Sequence, residues 1–328
     1  MESPIKWSGS KRPLAKEIIS HFPSNKEQDG TFYELFCGSC AITLEMISGK
    51  YSDKRYSNYI CVDNNEDLIN LWLDIKTEPN LLADGYEYFW KYANEFQEQV
   101  LDNGIVITLE QHRKNAFRYV KGMFNARQYS YEMWKEVFPN RSEEELYSMA
   151  DVTKNLHVYG LEKSIHFLYL LRCAFSGLVR YNSKGIYNSS CHFTRPGIAP
   201  DKLRKILNDT SELLHEYNVE FHCSDYKNII STNENDFVFM DPPYSSIGNG
   251  AGKKSMYHGG IDTNELIEYC NGLKCGYALT FDGDRGEDKA NRISLNETKI
   301  VNLKKKNSSY SRMNGKQVDV EEIMYIKI

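Results

Sequence analysis

The stretch TFYELFCGSCAITLEMIS, residues 31–48, sets the fold of this chain. TFYEL has the aromatic and β-branched content of a short strand, FCGSC turns tightly around Gly38, and AITLEMIS carries a helical apolar pattern. NYICVD (58–63) then reads as a second strand ending on an acid, and NEDLINLWLDI (65–75) as a second helix. A strand, a glycine turn, a helix and a strand with a terminal acid are the grammar of a doubly wound α/β sheet. The alternation resumes near residue 200. A helix in APDKLRKILNDTSELLHEY is followed by strands VEFHC and DFVFMD, helix TNELIEYCNGL, strand GYALTF, and closing strands near TKIVNL and EEIMYIKI.

Between these halves, residues 78 to 160 are polar, aromatic-rich and helical in pattern, as in GYEYFWKYANEFQEQV and SEEELYSMADV, and no strand is expected there. LEKSIHFLYLLRCAF reads as a buried helix leading into the glycine-containing segment SGLVRYNSKGIYNSSCHFTRPG. The fold class expected is therefore α/β: a Rossmann-like doubly wound sheet with an inserted, mostly helical domain. Residues 1–77 and 206–328 form the sheet domain and 78–205 the insertion. At 328 residues, with 41% hydrophobic and 26% charged side chains, the chain has ordinary globular composition. The polar start MESPIKWSGSKRPL and the lack of a long apolar run predict a soluble, intracellular protein. The net charge of −5 argues against a wholly basic nucleic-acid coat but allows a local basic face.

DFVFMDPPYSS, residues 236–246, carries the sharpest chemical signal. Asp241 stands at the carboxyl end of an apolar strand, where α/β sheets bind ligands. Pro242 and Pro243 fix φ and hold the carbonyl between them in one direction, and Tyr244 follows at once. A proline turn closing a strand is the plain reading. The combination suits a further task. The Asp241 carboxylate and the Pro242 carbonyl are acceptors for the two hydrogens of a planar amino group, and Tyr244 offers a face for a base.

DPPY resembles the catalytic motif of S-adenosylmethionine-dependent amino-methyltransferases, in the form of the adenine-N6 DNA enzymes. KWSGSKRPL resembles the cofactor segment K-W-x-G-G-K-x-x-L of the Dam-like, alpha-group members, and FLYLLRCAFSGLVRYNSKGIYN resembles their target-recognition signature. The three matches fall in the family's order across nearly the whole chain. The resemblance implies a Rossmann-like methyltransferase sheet with an inserted target-recognition domain. It also implies S-adenosyl-L-methionine as methyl donor and double-stranded DNA as partner. The catalytic residues would be Asp241, Pro242, Pro243 and Tyr244. The flipped-out target adenine would lie within GATC, the site such members read, although Ser176 and Ser190 stand where those members carry asparagine and proline. It further suggests a monomer, working without metal or membrane, in the cytoplasm of a bacterial cell or phage-infected host.

The family's first strand ends in E-x-F-x-G-x-G, a turn that lets the backbone approach the methionine part of the cofactor; Glu34, Phe36 and Gly38 match and by resemblance bind the cofactor, and Cys40 replaces the last glycine. Gly38 supplies the permissive φ, so Cys37-x-x-Cys40 reads as incidental to the turn rather than as a metal or redox clip. Asp63 is placed to accept from ribose hydroxyls, with a helix N-cap as the alternative; Asp225 and Tyr226 in HCSDYKNII are candidates for the cofactor adenine, with the same alternative for Asp225. Asp241 borders that cofactor site as well. By resemblance Trp7 forms an apolar wall and Lys11 sits near the cofactor carboxylate.

From Ser164 to Lys205 the cations Arg172, Arg180, Lys184, Arg195, Lys202, Arg204 and Lys205 are opposed only by Asp201. Phe175, Tyr181, Asn182, Tyr187 and Asn188 are threaded among them, which favours a nucleic-acid surface over a merely solvated face. By resemblance Arg180 reads guanine, Phe175 enters the base stack, Lys6 reads the first base pair and Leu178 is an apolar recognition residue. The alternatives are methylation of RNA adenine or another planar amino group, and a non-catalytic DNA-binding relative.

Overall fold

The computed structural model describes residues 1–25, 29–49, 51–100, 106–125, 135, 140–154, 160–231, 233–243, 261–285, 292–303 and 320–328. They divide into two compact units, one of Met1, Gly9–Ile69 and Leu213–Ile328, the other of Glu2–Ser8 and Asn70–Glu212.

The first unit begins with helix α1 (Ala15–Ser20), strand β1 (Thr31–Leu35), helix α2 (Ala41–Ile47), strand β2 (Asn58–Asp63) and helix α3 (Glu66–Thr77), whose later turns belong to the second unit. The second unit continues with α4 (Pro79–Asn94), the two-residue strands β3 (Gln99–Val100) and β4 (Val106–Ile107), α5 (Leu109–Phe124), α6 (Glu143–Lys154) and α7 (Leu161–Cys173). Helix α8 (Pro200–Glu216) leads back to β5 (Val219–Cys223), β6 (Phe237–Met240), α9 (Thr263–Gly272), β7 (Gly276–Arg285), β8 (Lys299–Leu303) and β9 (Val320–Lys327).

Seven of these strands form one sheet in the order β5-β2-β1-β6-β7-β9-β8. The pairs from β5 to β7 are parallel, and β9 pairs antiparallel with both β7 and β8. This is a mixed α/β, Rossmann-like sheet, parallel from β5 to β7 with an antiparallel edge. Burial explains the sequence signal: all four residues of β6, Phe-Val-Phe-Met, are buried, as a strand covered on both faces requires. Leu35, Val238, Met240, Leu279 and Ile323 join in one core with the inner face of α9.

The strand order also fixes the place for chemistry. From β1 the chain moves outward to β2 and then β5, and it returns to β6 on the other side of β1; such a reversal opens a crevice at the strands' carboxyl ends. Leu35 stands beside Met240, so Phe36 and Asp241 leave the sheet side by side.

In the second unit, α5 is capped by Thr108, whose side chain accepts from Gln111 N at 3.3 Å. Its buried face meets α7, where Phe124 stacks on Phe167 at 5.1 Å. The expectation of no strand in residues 78–160 is corrected by the β3–β4 hairpin. A two-residue ladder leaves no alternating pattern long enough to read, so local sequence does not disclose it. Glu143, Glu144 and Glu145 of SEEELYSMADV face solvent, while Leu146 of the same helix is buried.

Candidate active site and nucleic-acid interface

The turn after β1 is held from three sides. Phe36, Gly38 and Cys40 have φ of 56°, 47° and 48°, so three of five successive residues occupy the left-handed region. Only Gly38 adopts it without a Cβ penalty, and strain of this kind persists where surrounding contacts over-determine the backbone. Glu34 supplies one such contact: its Oε1 accepts from Ile42 N at 3.3 Å and its Oε2 from Thr43 N at 2.8 Å, tying the strand to the first turn of α2. Burial pushes the Glu34 carboxyl up to about 7, with the Asp241 charge adding to the rise and the bonds from Thr43 and Ile42 opposing it. Asp63 supplies a second, accepting from Gly38 N at 3.2 Å and Asn65 N at 3.0 Å. Burial raises its pKa too, against the pull of those amides. The α3 N-cap contact belongs to Asn65, which accepts from Leu68 N, so Asp63 is committed to the turn. A third contact comes from the N-terminal segment, where Ser10 Oγ and Ser39 Oγ lie 2.6 Å apart.

Cys37 and Cys40 are both buried free thiols, and burial pushes Cys37 up to about 12 and raises Cys40 also. A buried thiol of this kind is a packing group rather than a nucleophile. Among the described residues no group of three or more His, Cys, Asp or Glu side chains could hold a metal ion.

Asp241 leaves the sheet at the crevice. Its Oδ1 accepts from Thr280 Oγ1 at 2.8 Å and pairs with Lys11 Nζ at 3.0 Å; Lys11 also lies 3.4 Å from Glu322 Oε2. Pro242 is buried and Pro243 half-buried. Lys11 is thus held between two carboxylates, with its side chain 6% exposed, and a charge so enclosed is tolerable only when paired. Thr280 and Glu322 escaped the sequence reading. A hydroxyl inside the apolar strand GYALTF and acids opening EEIMYIKI were the available signals. Tyr244 lies outside the described residues.

On the same crevice rim, Asp225 caps a short 3-10 turn, Tyr226–Asn228, by accepting from Lys227 N at 2.9 Å. The Phe36 and Tyr226 rings are 5.0 Å apart. Tyr226 is 7% exposed, and its buried hydroxyl has no hydrogen-bond partner among the described residues. An aromatic pair with an orphaned hydroxyl, near a glycine turn and an acid, fits a group carrying a planar heterocycle and hydroxyls.

The nucleic-acid candidates belong to the second unit, as does Trp7. Helix α7 ends at Cys173 and Phe175–Gly177 form a short 3-10 turn, with Ser176 left-handed at φ 55°. Phe175 stacks on His192, ring centres 5.4 Å apart at 18°. Lys6 Nζ donates to the Ala174 carbonyl at 3.2 Å, and Ser8 N to that of Gly177 at 3.1 Å, so residues 2–8 run against this loop. Desolvation first, then the charges of Arg172 and Arg195, lower the Lys6 pKa. Arg180 and Asn188 are exposed and joined through their backbones, Asn188 N donating to Arg180 O at 2.9 Å. Tyr181 pairs with Tyr187 across this miniature hairpin. Asn182 closes its tip, Oδ1 accepting from Lys184 N at 2.9 Å and Ile186 N at 3.0 Å. Leu178 is half-buried at the loop's base.

The family model of D12 class N6 adenine-specific DNA methyltransferases matches residues 7–308. Among curated proteins, the chain is 25% identical over 327 residues to the DNA adenine methylase of Haemophilus influenzae, covering 98% of this chain and 92% of that protein. It is 23% identical to the Retron Ec67 DNA adenine methylase of Escherichia coli, over 76% of this chain and 66% of that protein. It is 22% identical to a DNA adenine methylase of Vibrio cholerae, over 80% and 72% respectively.

Proposed function

Because the chain belongs to the D12 class N6 adenine-specific DNA methyltransferase family, we propose that it methylates the exocyclic nitrogen of a flipped-out adenine in duplex DNA, within GATC, using S-adenosyl-L-methionine. The observation that carries this reading is Asp241 itself. It is placed at the crevice beside β1, with Oδ1 held by Thr280 and Lys11, and is followed by two prolines.

When bound, S-adenosylmethionine supplies the methyl group as an already activated sulfonium. Gly38, Phe36, Asp63, Asp225 and Tyr226 form the set that holds it, with Glu34 keeping the turn in shape. The Asp63 oxygens each carry a second acceptor site beyond the amides they bind, which suits ribose hydroxyls. The Tyr226 hydroxyl and ring suit the adenine. Trp7 and Lys11 complete the cofactor side by resemblance, with Lys11 also gripping Asp241.

Asp241 and the Pro242 carbonyl accept the two hydrogens of the substrate amine and direct its lone pair outward, and Tyr244 stacks on the base. The main contribution of these residues is alignment and exclusion of water. A base inside a duplex cannot reach Asp241, so it leaves the stack, with Phe175 filling the gap. Arg180, with Lys6 and Leu178, reads flanking bases, and Tyr181, Asn182 and Asn188 line that surface.

Plasmid DNA from cells expressing this chain, mapped for modified bases, tests the proposal. N6-methyladenine at GATC is expected. Methylated cytosine, or adenine modified only in RNA, refutes it.

A further inference from the structure

Helix α5, LEQHRKNAFRYVKGMF, carries four cations, Arg113, Lys114, Arg118 and Lys121, against one acid, Glu110 in its first turn. Its buried side is built from Ala116, Phe117, Val120 and Phe124. Lys114, Arg118 and Lys121 are spaced i, i+4, i+7 and therefore share a different face. That face borders the loop that carries the base-reading candidates. Asn125, which ends the helix, clamps the loop backbone at Tyr187, donating to its carbonyl and accepting from its amide, both at 2.9 Å. At the other end Lys114 Nζ lies 6.0 Å above the Phe193 ring. Cys191 lies between those two loop positions in sequence; burial pushes its thiol up to about 11, and the charges of Lys114, Lys121, Arg113 and Arg118 oppose that rise. Arg113 is committed through its Nε to Asn94 Oδ1 at 2.8 Å.

We infer that Lys114 and Arg118 of α5 form a phosphate-binding edge that seats the DNA backbone alongside the loop of residues 180–193. Four residues of helix separate the two side chains by ~6 Å along the axis, close to the ~7 Å of duplex axis spanned by three successive phosphates of one strand, two steps of ~3.4 Å. The occupant is a polyanion, since three cations, Lys114, Arg118 and Lys121, share one edge of a helix whose buried side already fills the core. Duplex DNA is the form to which the neighbouring loop is assigned. These residues position the duplex without reading it, because phosphate contacts carry no base identity. The inference rests on the DNA reading above.

The test is fluorescence anisotropy of the full chain with a GATC duplex and a scrambled duplex across a series of salt concentrations. Lys114→Gln/Arg118→Gln should weaken both duplexes equally and reduce the slope of log K against log salt by about 2, one for each phosphate left unneutralised. The charge-conserving Lys114→Arg/Arg118→Lys should restore the slope, which separates an effect of charge from an effect of misfolding. A wild type that binds DNA and a Gln variant with an unchanged slope would overturn the edge alone. No DNA binding by the wild type would overturn the underlying DNA reading, and tighter binding to RNA of the same sequence would overturn the choice of duplex.

Discussion

Glu34→Gln isolates the electrostatics of the turn after β1. The Glu34 carboxyl is fully buried, and its pKa rises from an ordinary 4.5 to about 7 in the folded protein. Below 4.5 it is protonated in both states and costs nothing. As pH rises through the window 4.5 to about 7, the unfolded chain ionises first, and the folded protein must keep the proton or bury a charge. A carboxyl with a raised folded pKa therefore contributes stability at low pH that is lost as pH rises. A shift of about 2.5 units at 1.36 kcal/mol per unit corresponds to about 3 kcal/mol by pH ~8. Glutamine does not titrate, so subtracting the two proteins removes every other group. Urea unfolding at intervals from pH 4.5 to 8 should show wild-type stability falling relative to the variant by about 3 kcal/mol. A constant offset would refute the reasoning, and a rise would mean that the α2 amides overcome desolvation.

Three further outcomes follow from the same geometry. Cys40 sits at φ 48°, so Cys40→Gly should be more stable than Cys40→Ala by about 1 kcal/mol, although glycine buries less surface; thermal denaturation with alanine the more stable would contradict it. Thr280→Val removes the hydroxyl that donates to Asp241, and a hydrogen bond to a charged group is worth about 1.5–3 kcal/mol. The expectation is a loss of one to two orders of magnitude in kcat with little change in DNA affinity, and an unchanged kcat would remove Thr280 from the site. Arg180→Ala should cost about 1–3 kcal/mol on the preferred sequence and much less on a scrambled duplex; equal losses on both would make Arg180 a phosphate contact.

The central strand β6 was legible because a strand covered on both faces reads as an unbroken apolar run, and FVFMD ending in an acid marked the ligand-binding end of the sheet. The order of those strands was not. It is the β6-β7-β9 neighbourhood that brings Thr280 and Glu322, 42 residues apart in sequence, to Asp241 and Lys11. Local sequence therefore offered the candidate acid without its supports. The cysteine pair illustrates the reverse case: a recognisable spacing whose members prove to be buried packing groups in a strained turn. The cations of α5 gain meaning only in the fold, where Asn125 and Phe193 place them along the loop.

The central claim concerns the grip of Asp241 on an adenine amine. Its most direct measurement is transfer of labelled methyl from S-adenosylmethionine to a duplex by the wild type and by Asp241→Asn, with the modified nucleoside identified by mass spectrometry. The account predicts N6-methyladenine from the wild type and a rate at least about 10²–10³-fold lower in a variant that keeps its circular dichroism spectrum. Label on cytosine, or a variant as fast as the wild type, would contradict it.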